Sequence, residues 1–572
     1  MKKNRGVALA ISLFSMMMVT ALSAVYVARA VQEKTMSGIE VNAVKATYAG
    51  ESGGNDGLLT LYNLINFYLL NTVSGTPSSL ISAQAASYAA GDNGIGFLVT
   101  YVKNDGVTLL TQSGSGASAV AVYTTTATTI DNGSYSYTIR ITRKSAASSP
   151  MTNVWDFPFN FKIQTTATVA GLQKKTTLHG DFTVRVQRDN FARYALFTAH
   201  QTMSNGTTVW FTDRTDFTGP LFTDTHFSFA YNPGGIFDGL VRQVDQSAQF
   251  YNSGHPVLLD SDANGNVDVP SFSVGFDRGL TAIAMPTSAD ETSMASEASG
   301  GSTYSSNGIY VPVTGTTMKG GIYVYGDATL AMGVDGANRQ TLTIVRGATT
   351  KVVTIDRAAN QTLVTSGGST VTYTGLPDGT HNAGTVIYVN GNITAISGTV
   401  QSDNQMTISC KNDLVISNNI RYQNYTAQVG TPGAANYVPP TADYQVNGST
   451  NANLLGLLSW QGNVRIATSA PDNLDIHATV MAKTGQFEVD NYDTGGSRGI
   501  VTVLGGVISN YYGAFGTFNS STGQFVSGYG RNFVYDSRMQ TSMSPPYFPT
   551  TNTFIAFAND IDDKLFWQQG GF

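Results

Sequence analysis

The chain has 572 residues, room for three or four domains. Only 12% are charged, about half the usual ~25% share, and Gly is 60 of 572, above the usual ~7%. That profile excludes a charged disordered chain and a helical cytosolic enzyme, and it suits a turn-rich, all-β extracellular protein. Thirty-two Lys and Arg against 38 Asp and Glu leave −6, so no global basic field captures nucleic acid, and only a local basic strip stays open. Cys410 is the single cysteine, which excludes an intramolecular disulfide framework and a Cys-based zinc site. Its strand-like setting, Met406-Thr-Ile-Ser-Cys-Lys411, predicts a small buried side chain.

At the N-terminus Lys2, Lys3 and Arg5 precede Gly6, and Val7 to Ala28 carries no charge. Such a run is long enough as a helix to cross ~30 Å of hydrocarbon, with the basic flank on the cytoplasmic side. Three readings compete. A secretory signal would use Ala28-Arg-Ala30 for cleavage, but the apolar run exceeds the usual h-region of about 7–15 residues. A plain signal anchor is the second. The third is a prepilin leader, 1–6, cut between Gly6 and Val7. After the apolar run the helical pattern continues to Gly57, and a second apolar helical run spans Leu58 to Leu70.

Here the sequence resembles the PilX-type minor pilins and, more loosely, the K-type minor pseudopilins. The matching residues are Asn4-Arg-Gly-Val-Ala-Leu9, Glu33-Lys-Thr-Met36, Asn42 and Ala49-Gly-Glu51-Ser-Gly53, spread over a segment of about 55 residues. The resemblance implies a type IV pilus or pseudopilus subunit, processed by a prepilin peptidase and held in the inner membrane before assembly with other pilins. Counting from Val7, the fifth residue is Ile11, where major pilins have a glutamate thought to pair with a neighbour's terminal amine. A subunit without that carboxylate fits a tip or priming position; the plainer reading is a non-polymerising anchor.

Beyond Gly75, Phe97–Val102, Ala119–Tyr123 and Tyr135–Ile141 read as strands around Asn104-Asp-Gly106 and Asp131-Asn-Gly133 turns, an antiparallel pilin head over 74–150 following a helix region over 7–73. Phe157–Gln164, Gly180–Val186 and Thr208–Phe211 place a second β domain at 151–319. The Asn190–Tyr194 and Phe217–Pro220 runs resemble extracellular parts of larger pilus-associated proteins. Thr287–Asn307 reads as a linker or exposed loop.

From 320 to 525, Ile322-Tyr-Val-Tyr-Gly-Asp is echoed by Ile387-Tyr-Val-Asn-Gly-Asn and by Leu457-Leu-Ser-Trp-Gln-Gly-Asn. Gly and Asn at each corner tolerate φ > 0, so the expectation is a β-solenoid, with a pair of β-sandwiches as the alternative. A large pilin with a β-solenoid resembles the competence-associated ComZ type. The fold class expected is therefore mainly β with one long N-terminal α-helix: a pilin-like helix and antiparallel sheet, then a β-solenoid. Residues 526–572 read as a cap, or a strap back to the pilin sheet. Exposed Tyr511, Tyr512, Tyr529 and Tyr535, flanked by Arg531 and Arg538, would stack on a surface glycan or DNA.

Asp260-Ser-Asp262-Ala-Asn264-Gly265-Asn266-Val267-Asp268 offers oxygens at positions 1, 3, 5, 7 and 9 with Gly at 6, the spacing of a Ca²⁺ loop. Ser271 stands where an EF-hand has its bidentate Glu, so the comparison is with calcium loops of extracellular β proteins, or with a plain Asx-rich turn. Catalytic signatures are absent: no His-Glu-x-x-His, no Gly-x-Ser-x-Gly, no Walker loop. The six His are scattered, although His200 and His226 fall in one block. Asp472, Asp475, Glu488, Asp490 and Asp493 are the one carboxylate group resembling the clusters of polysaccharide-cleaving β-helices. The reading is a non-enzymatic minor pilin at a filament tip, or a calcium-dependent adhesin or DNA receptor that uses the pilin part for delivery.

Overall fold

A computed structural model describes residues 4–65, 76–77, 108–113, 120–145, 148–151, 154–212, 215–230, 235–252, 255–260, 269–432, 434–442, 445–446, 449–450, 452–519, 525–540, 543–559 and 566–569. The protein is mainly β with one long helix, α1 (Asn4–Asn63), and it divides into two units, 1–188 with 553–572, and 189–552.

With no proline in its span, α1 runs unbroken for 60 residues, about 90 Å. Its halves differ. Every described side chain from Gly6 to Glu40 is exposed, apolar ones included, whereas Ala46, Ala49 and Leu61 are buried, as are Leu64 and Ile65 just beyond its end. The buried face rests on an antiparallel sheet built on β1 (Val120–Thr124), β2 (Gly133–Arg143), β3 (Val154–Val169) and β4 (Leu172–Asn190). Strict alternation aims Ile139, Ile141, Phe159, Phe161, Ile163, Leu178 and Val184 at one face, where they form a core with Leu61, Leu64 and Ile65. Small residues on α1 let the two come close. A Cβ on Gly50 would lie 2.8 Å from Thr176 and one on Gly57 2.6 Å from Ile163, while one on Gly53 would collide with Thr165. Glycine costs a helix about 1 kcal/mol each in propensity, and here the burial it permits offsets that.

In the second unit the strands are short and pair in parallel. One column of registered residues runs Phe276, Val241, Leu221, Leu196, Val507, Val480, Leu457, Ile408, Ile387, Ile322. At about 4.8 Å per step it is about 43 Å long. A second column holds Leu330, Ile396, Ile416, Ile466 and Val489, and a third Ile420, Ile476, Val503 and Phe533. These columns make a β-solenoid, not a pair of sandwiches. Its rungs are not in chain order. The chain enters at Leu196 beside its own later Val507, steps out to Phe276, crosses to Ile322 at the opposite end, and returns rung by rung. That far end is closed by Gly308–Tyr310, antiparallel to Ile322–Tyr325, and by a meander from Ala328 to Thr374.

This arrangement corrects three expectations. The boundary at 150 falls inside one sheet, because β2 pairs with β3 along its whole length. Rungs come from 196–277 and from Phe525–Val534 as well as from 320–525, so the second β domain at 151–319 is not a separate body. The linker at 287–307 contains a helix, α2 (Ser288–Ser299): Thr287 and Asp290 form a capping box, and Gly300 at φ 59° ends it. Its low hydrophobicity hid it, since Glu291 and Glu297 are among the residues it buries, Glu291 accepting from the Tyr388 hydroxyl at 2.9 Å. Trp210 and Phe211 belong to no strand; Thr208 and Phe211 make isolated bridges. Phe97–Val102 and the turn at Asn104 lie outside the described residues.

After the last rung the chain continues as a strap. Phe548 fills space that a Cβ on Gly456 would need, Thr407 Oγ1 donates to the Pro546 carbonyl, and Tyr547 Oη donates to the Asp378 carbonyl at 2.5 Å. Thr550–Asn559 then joins the sheet of the first unit.

Candidate functional site

The glycine corners build a ladder of their own. Asp327 Oδ1 accepts from Asn392 N–H at 2.7 Å, Asn392 Oδ1 from Asp413 N–H at 3.1 Å, Asp413 Oδ1 from Asn463 N–H at 2.9 Å, and Asn463 Oδ1 from Gln486 N–H at 3.0 Å. Each turn thus satisfies a backbone donor that the next rung leaves unpaired. A side chain on Gly462 would strike the Asp413 side-chain oxygen, and one on Gly485 that of Asn463.

Where the ladder ends, a cleft of about 350 Å³ opens, lined by Asp413, Asn463, Arg465, Glu488, Asp490 and Asp493, with Tyr492 at its side. Arg465 stacks in register between Val415 and Glu488. Its Nε donates to Asp490 Oδ1 at 2.7 Å and its Nη1 to Asp413 Oδ2 at 3.2 Å. Glu488 accepts from Asn463 Nδ2 at 2.8 Å and from Gln486 Nε2. Burial pushes the Glu488 carboxyl above the usual carboxylate range, against those donors and Arg465. The cleft therefore holds a closed network that cross-links rungs, with Arg465 clamped between two carboxylates.

Of the carboxylates grouped from the sequence, Glu488, Asp490 and Asp493 meet here. Asp472 instead pairs with Arg498 at 3.1 Å and Asp475 with Arg421 at 2.7 Å. Asp413, Asn463 and Arg465 were missed; the signal for the first two was the polar residue that follows each strand at a corner.

The aromatic candidates are placed differently from expectation. Tyr512, Tyr529, Tyr535 and Arg538 are buried. Tyr529 Oη donates to the Pro471 carbonyl at 2.8 Å, and Arg498 lies 4.6 Å over its ring. Arg531, exposed, covers the Tyr512 ring at 5.1 Å and donates to its hydroxyl. Burial pushes the Tyr512, Tyr529 and Tyr535 hydroxyls up. Arg538 is locked to Asp536 through Nε–Oδ1 at 2.9 Å and Nη2–Oδ2 at 2.6 Å, 5.1 Å over Tyr422. Tyr511 is half-buried and stacks on His200, 4.9 Å between rings. Tyr512, Tyr529 and Tyr535 are thus spent on the protein's own cations and core and are not the exposed rings expected from the sequence. His226 pairs with Asp245 at 2.8 Å, so His200 and His226 have separate partners. Cys410 is buried.

Asp260 is exposed; Asp262, Asn264, Asn266 and Asp268 of the calcium-type loop lie outside the described residues. Among the described residues no group of three or more His, Cys, Asp or Glu is arranged to hold a metal ion. Gly6 and Val7 lie in the exposed first turns of α1.

Residues 156–244 match a family described as a domain of unknown function (DUF4900), a span that takes in most of β3, all of β4 and the first solenoid rungs. No curated protein matches the sequence. Among solved structures, the chain is similar to the competence-associated pilin ComZ from Thermus thermophilus, at 11% identity and a TM-score of 0.31 over 93% of this chain and 98% of that one.

Proposed function

We propose that this protein is a minor subunit of a type IV pilus or related pseudopilus, anchored by α1 in the inner membrane and later seated at a filament tip. The observation that carries the reading is the division of α1. Its first half is apolar and wholly exposed, which water does not tolerate in a contiguous surface of that size. Gly6–Asn63 is long and apolar enough to cross a membrane. A bilayer, and afterwards the helices of other pilins, would cover it. The second half is shaped for a sheet, and Ala49, Gly50 and Gly53 of the resembling segment sit at that contact. Ile11 leaves no carboxylate to be neutralised by a neighbouring subunit, which supports a terminal position.

The presented unit is the solenoid, and the calcium-type sequence Asp260–Asp268 would take Ca²⁺ at extracellular affinity, roughly 10⁻⁴–10⁻³ M. Residues 189–552 carry 16 Lys and Arg against 26 Asp and Glu, net −10, which weighs against a DNA receptor on that unit. The test is co-expression with a prepilin peptidase and intact-mass analysis of membrane-extracted protein. Loss of residues 1–6 is expected; a mature terminus at Val31 would mean signal-peptidase processing and defeat the reading.

A further inference from the structure

Seven Asn-x-Ser/Thr triplets occur in the chain, starting at residues 132, 205, 360, 392, 424, 447 and 519. An asparagine in that triplet accepts a sugar only on translocated chain, and only where it can reach a transferase, so the fold and not the motif decides which of them qualifies. Asn447, and Ser521 of the last triplet, lie outside the described residues.

Four of the other five are held in place. Asn132 stands at φ 58° in a tight hairpin, and Ser134 registers between Thr129 and Thr168 of the sheet. Thr362 is fully buried, and its Oγ1 donates to the Gly375 carbonyl at 2.8 Å. The Asn392 side chain is a step of the corner ladder, its Nδ2 donating to Asp327 Oδ1 at 3.0 Å. Asn424 is half-buried, and Thr426 exchanges two backbone hydrogen bonds with Thr441.

Asn205 is placed otherwise. Ser204 to Thr208 are all exposed, on a short loop closed at its base by the bridge between Thr202 and Thr208. Inside the loop Met203 N–H donates to the Thr207 carbonyl and Gly206 N–H to the Met203 carbonyl, both at 2.9 Å. Thr207 N–H donates to Asn205 Oδ1 at 3.0 Å, an Asx turn that sets the triplet at the loop tip. No hydrogen bond among the described residues takes Asn205 Nδ2. Gly206 has φ 84°, and a Cβ there would meet no atom within 4 Å, so the tip has open space around it. Exposed loop tips of this kind open at the least cost to the rest of a fold.

We propose that Asn205 is an N-glycosylation site of the solenoid unit, modified by a membrane oligosaccharyltransferase that draws on a lipid-pyrophosphate-linked glycan. Asn205 Nδ2 attacks the anomeric carbon of the first sugar. The carbon–nitrogen bond forms as the bond from that carbon to the pyrophosphate oxygen breaks. The lipid pyrophosphate leaves with the electron pair, and the proton lost by Nδ2 passes to a carboxylate of the transferase. The inference requires 189–552 to lie outside the cytoplasm, which the proposed anchoring of α1 supplies, and does not require the protein to enter a filament.

Tryptic peptide 194–214 holds Asn205 as its only asparagine, which makes the site readable by mass spectrometry. In full-length protein extracted from the membranes of its native host, that peptide should carry a sugar chain, placed on Asn205 by electron-transfer fragmentation. The peptides holding Asn360 and Asn392 should stay bare. Asn205→Gln and Thr207→Ala should each abolish the modification, with the fold melting at the same temperature as unmodified protein; Thr207→Ser should keep it, and Ser204→Ala should leave it as it is. A bare 194–214 peptide, a sugar that persists in Asn205→Gln, or equal modification of Asn360 and Asn392 would overturn the proposal. Loss of residues 1–6 is read on the same sample, so a bare peptide on processed protein refutes this site and leaves the subunit reading standing.

Discussion

The two units solve the same problem, burying apolar surface in a chain poor in charge, by opposite means. In the first, one helix is laid on one sheet, and the contact depends on a few small residues: Gly50, Gly53 and Gly57 against Thr176, Thr165 and Ile163. In the second, burial is repetitive: each rung touches only the rungs beside it, and a column of aliphatics recurs from one end to the other. Their charges are opposite as well. The first unit holds 16 Lys and Arg against 12 Asp and Glu, net +4, against −10 for the second. A defect in the first unit should therefore loosen its whole helix–sheet contact, whereas one in the second should stay local unless it strikes a buried charge.

The largest expected effect is such a charge. Asp536→Ala would leave the Arg538 guanidinium buried without its bidentate partner, and loss of about 3–5 kcal/mol is expected in chemical denaturation. Next is Gly53→Val, which drives side-chain atoms into Thr165 and Tyr135 and should cost about 1–3 kcal/mol. Hydrogen exchange should quicken across β2, β3 and β4 and stay unchanged in the solenoid; a change spread over both units would break the comparison.

Acid should act on the solenoid through His477. Burial, followed by Arg421 and Arg538, lowers its pKa from 6.5 to about 3, and its Nδ1 accepts from Tyr422 N–H at 3.1 Å. Between those values the unfolded chain binds a proton that the folded one refuses. Stability contributed by neutral His477 is complete above about pH 6.5 and falls as pH drops toward about 3, by up to about 1.4 kcal/mol per unit. His477→Asn should flatten that slope in pH-dependent denaturation. The smallest effect is Asp413→Ala, which opens one step of the corner ladder and should cost about 1–2 kcal/mol, with faster exchange confined to Asn463 and its neighbours.

Much of this architecture was legible in the residues. The period-2 alternation of Tyr135–Ile141 and Phe157–Gln164 announced strands, though the second was assigned to a separate domain, and the echoes at Ile322, Ile387 and Leu457 lie in one column, with Ile322 directly beside Ile387. The copy at Ile408 escaped notice because its corner reads Lys411-Asn-Asp, without the glycine of the others. The rungs at Leu196, Leu221 and Val241 escaped because they lie over 200 residues from those they continue, and local pattern says nothing about a stack assembled out of chain order. Exposed-looking aromatics misled for a related reason: Gly-flanked Tyr512 and Tyr529 read as surface, but the glycines serve close rung approach and the rings fill the core. Arg465 joins Asp413 to Asp490 only because rungs separated by dozens of residues lie side by side.

The proposed seat of the solenoid at a filament end is tested most directly by immunogold labelling of sheared filaments with antibody against the solenoid. Helically packed shaft subunits leave little lateral room for a unit spanning 189–552. Gold is expected at one end of each filament, about one or a few particles, unchanged by Ile11→Glu. Uniform labelling along the shaft would contradict it.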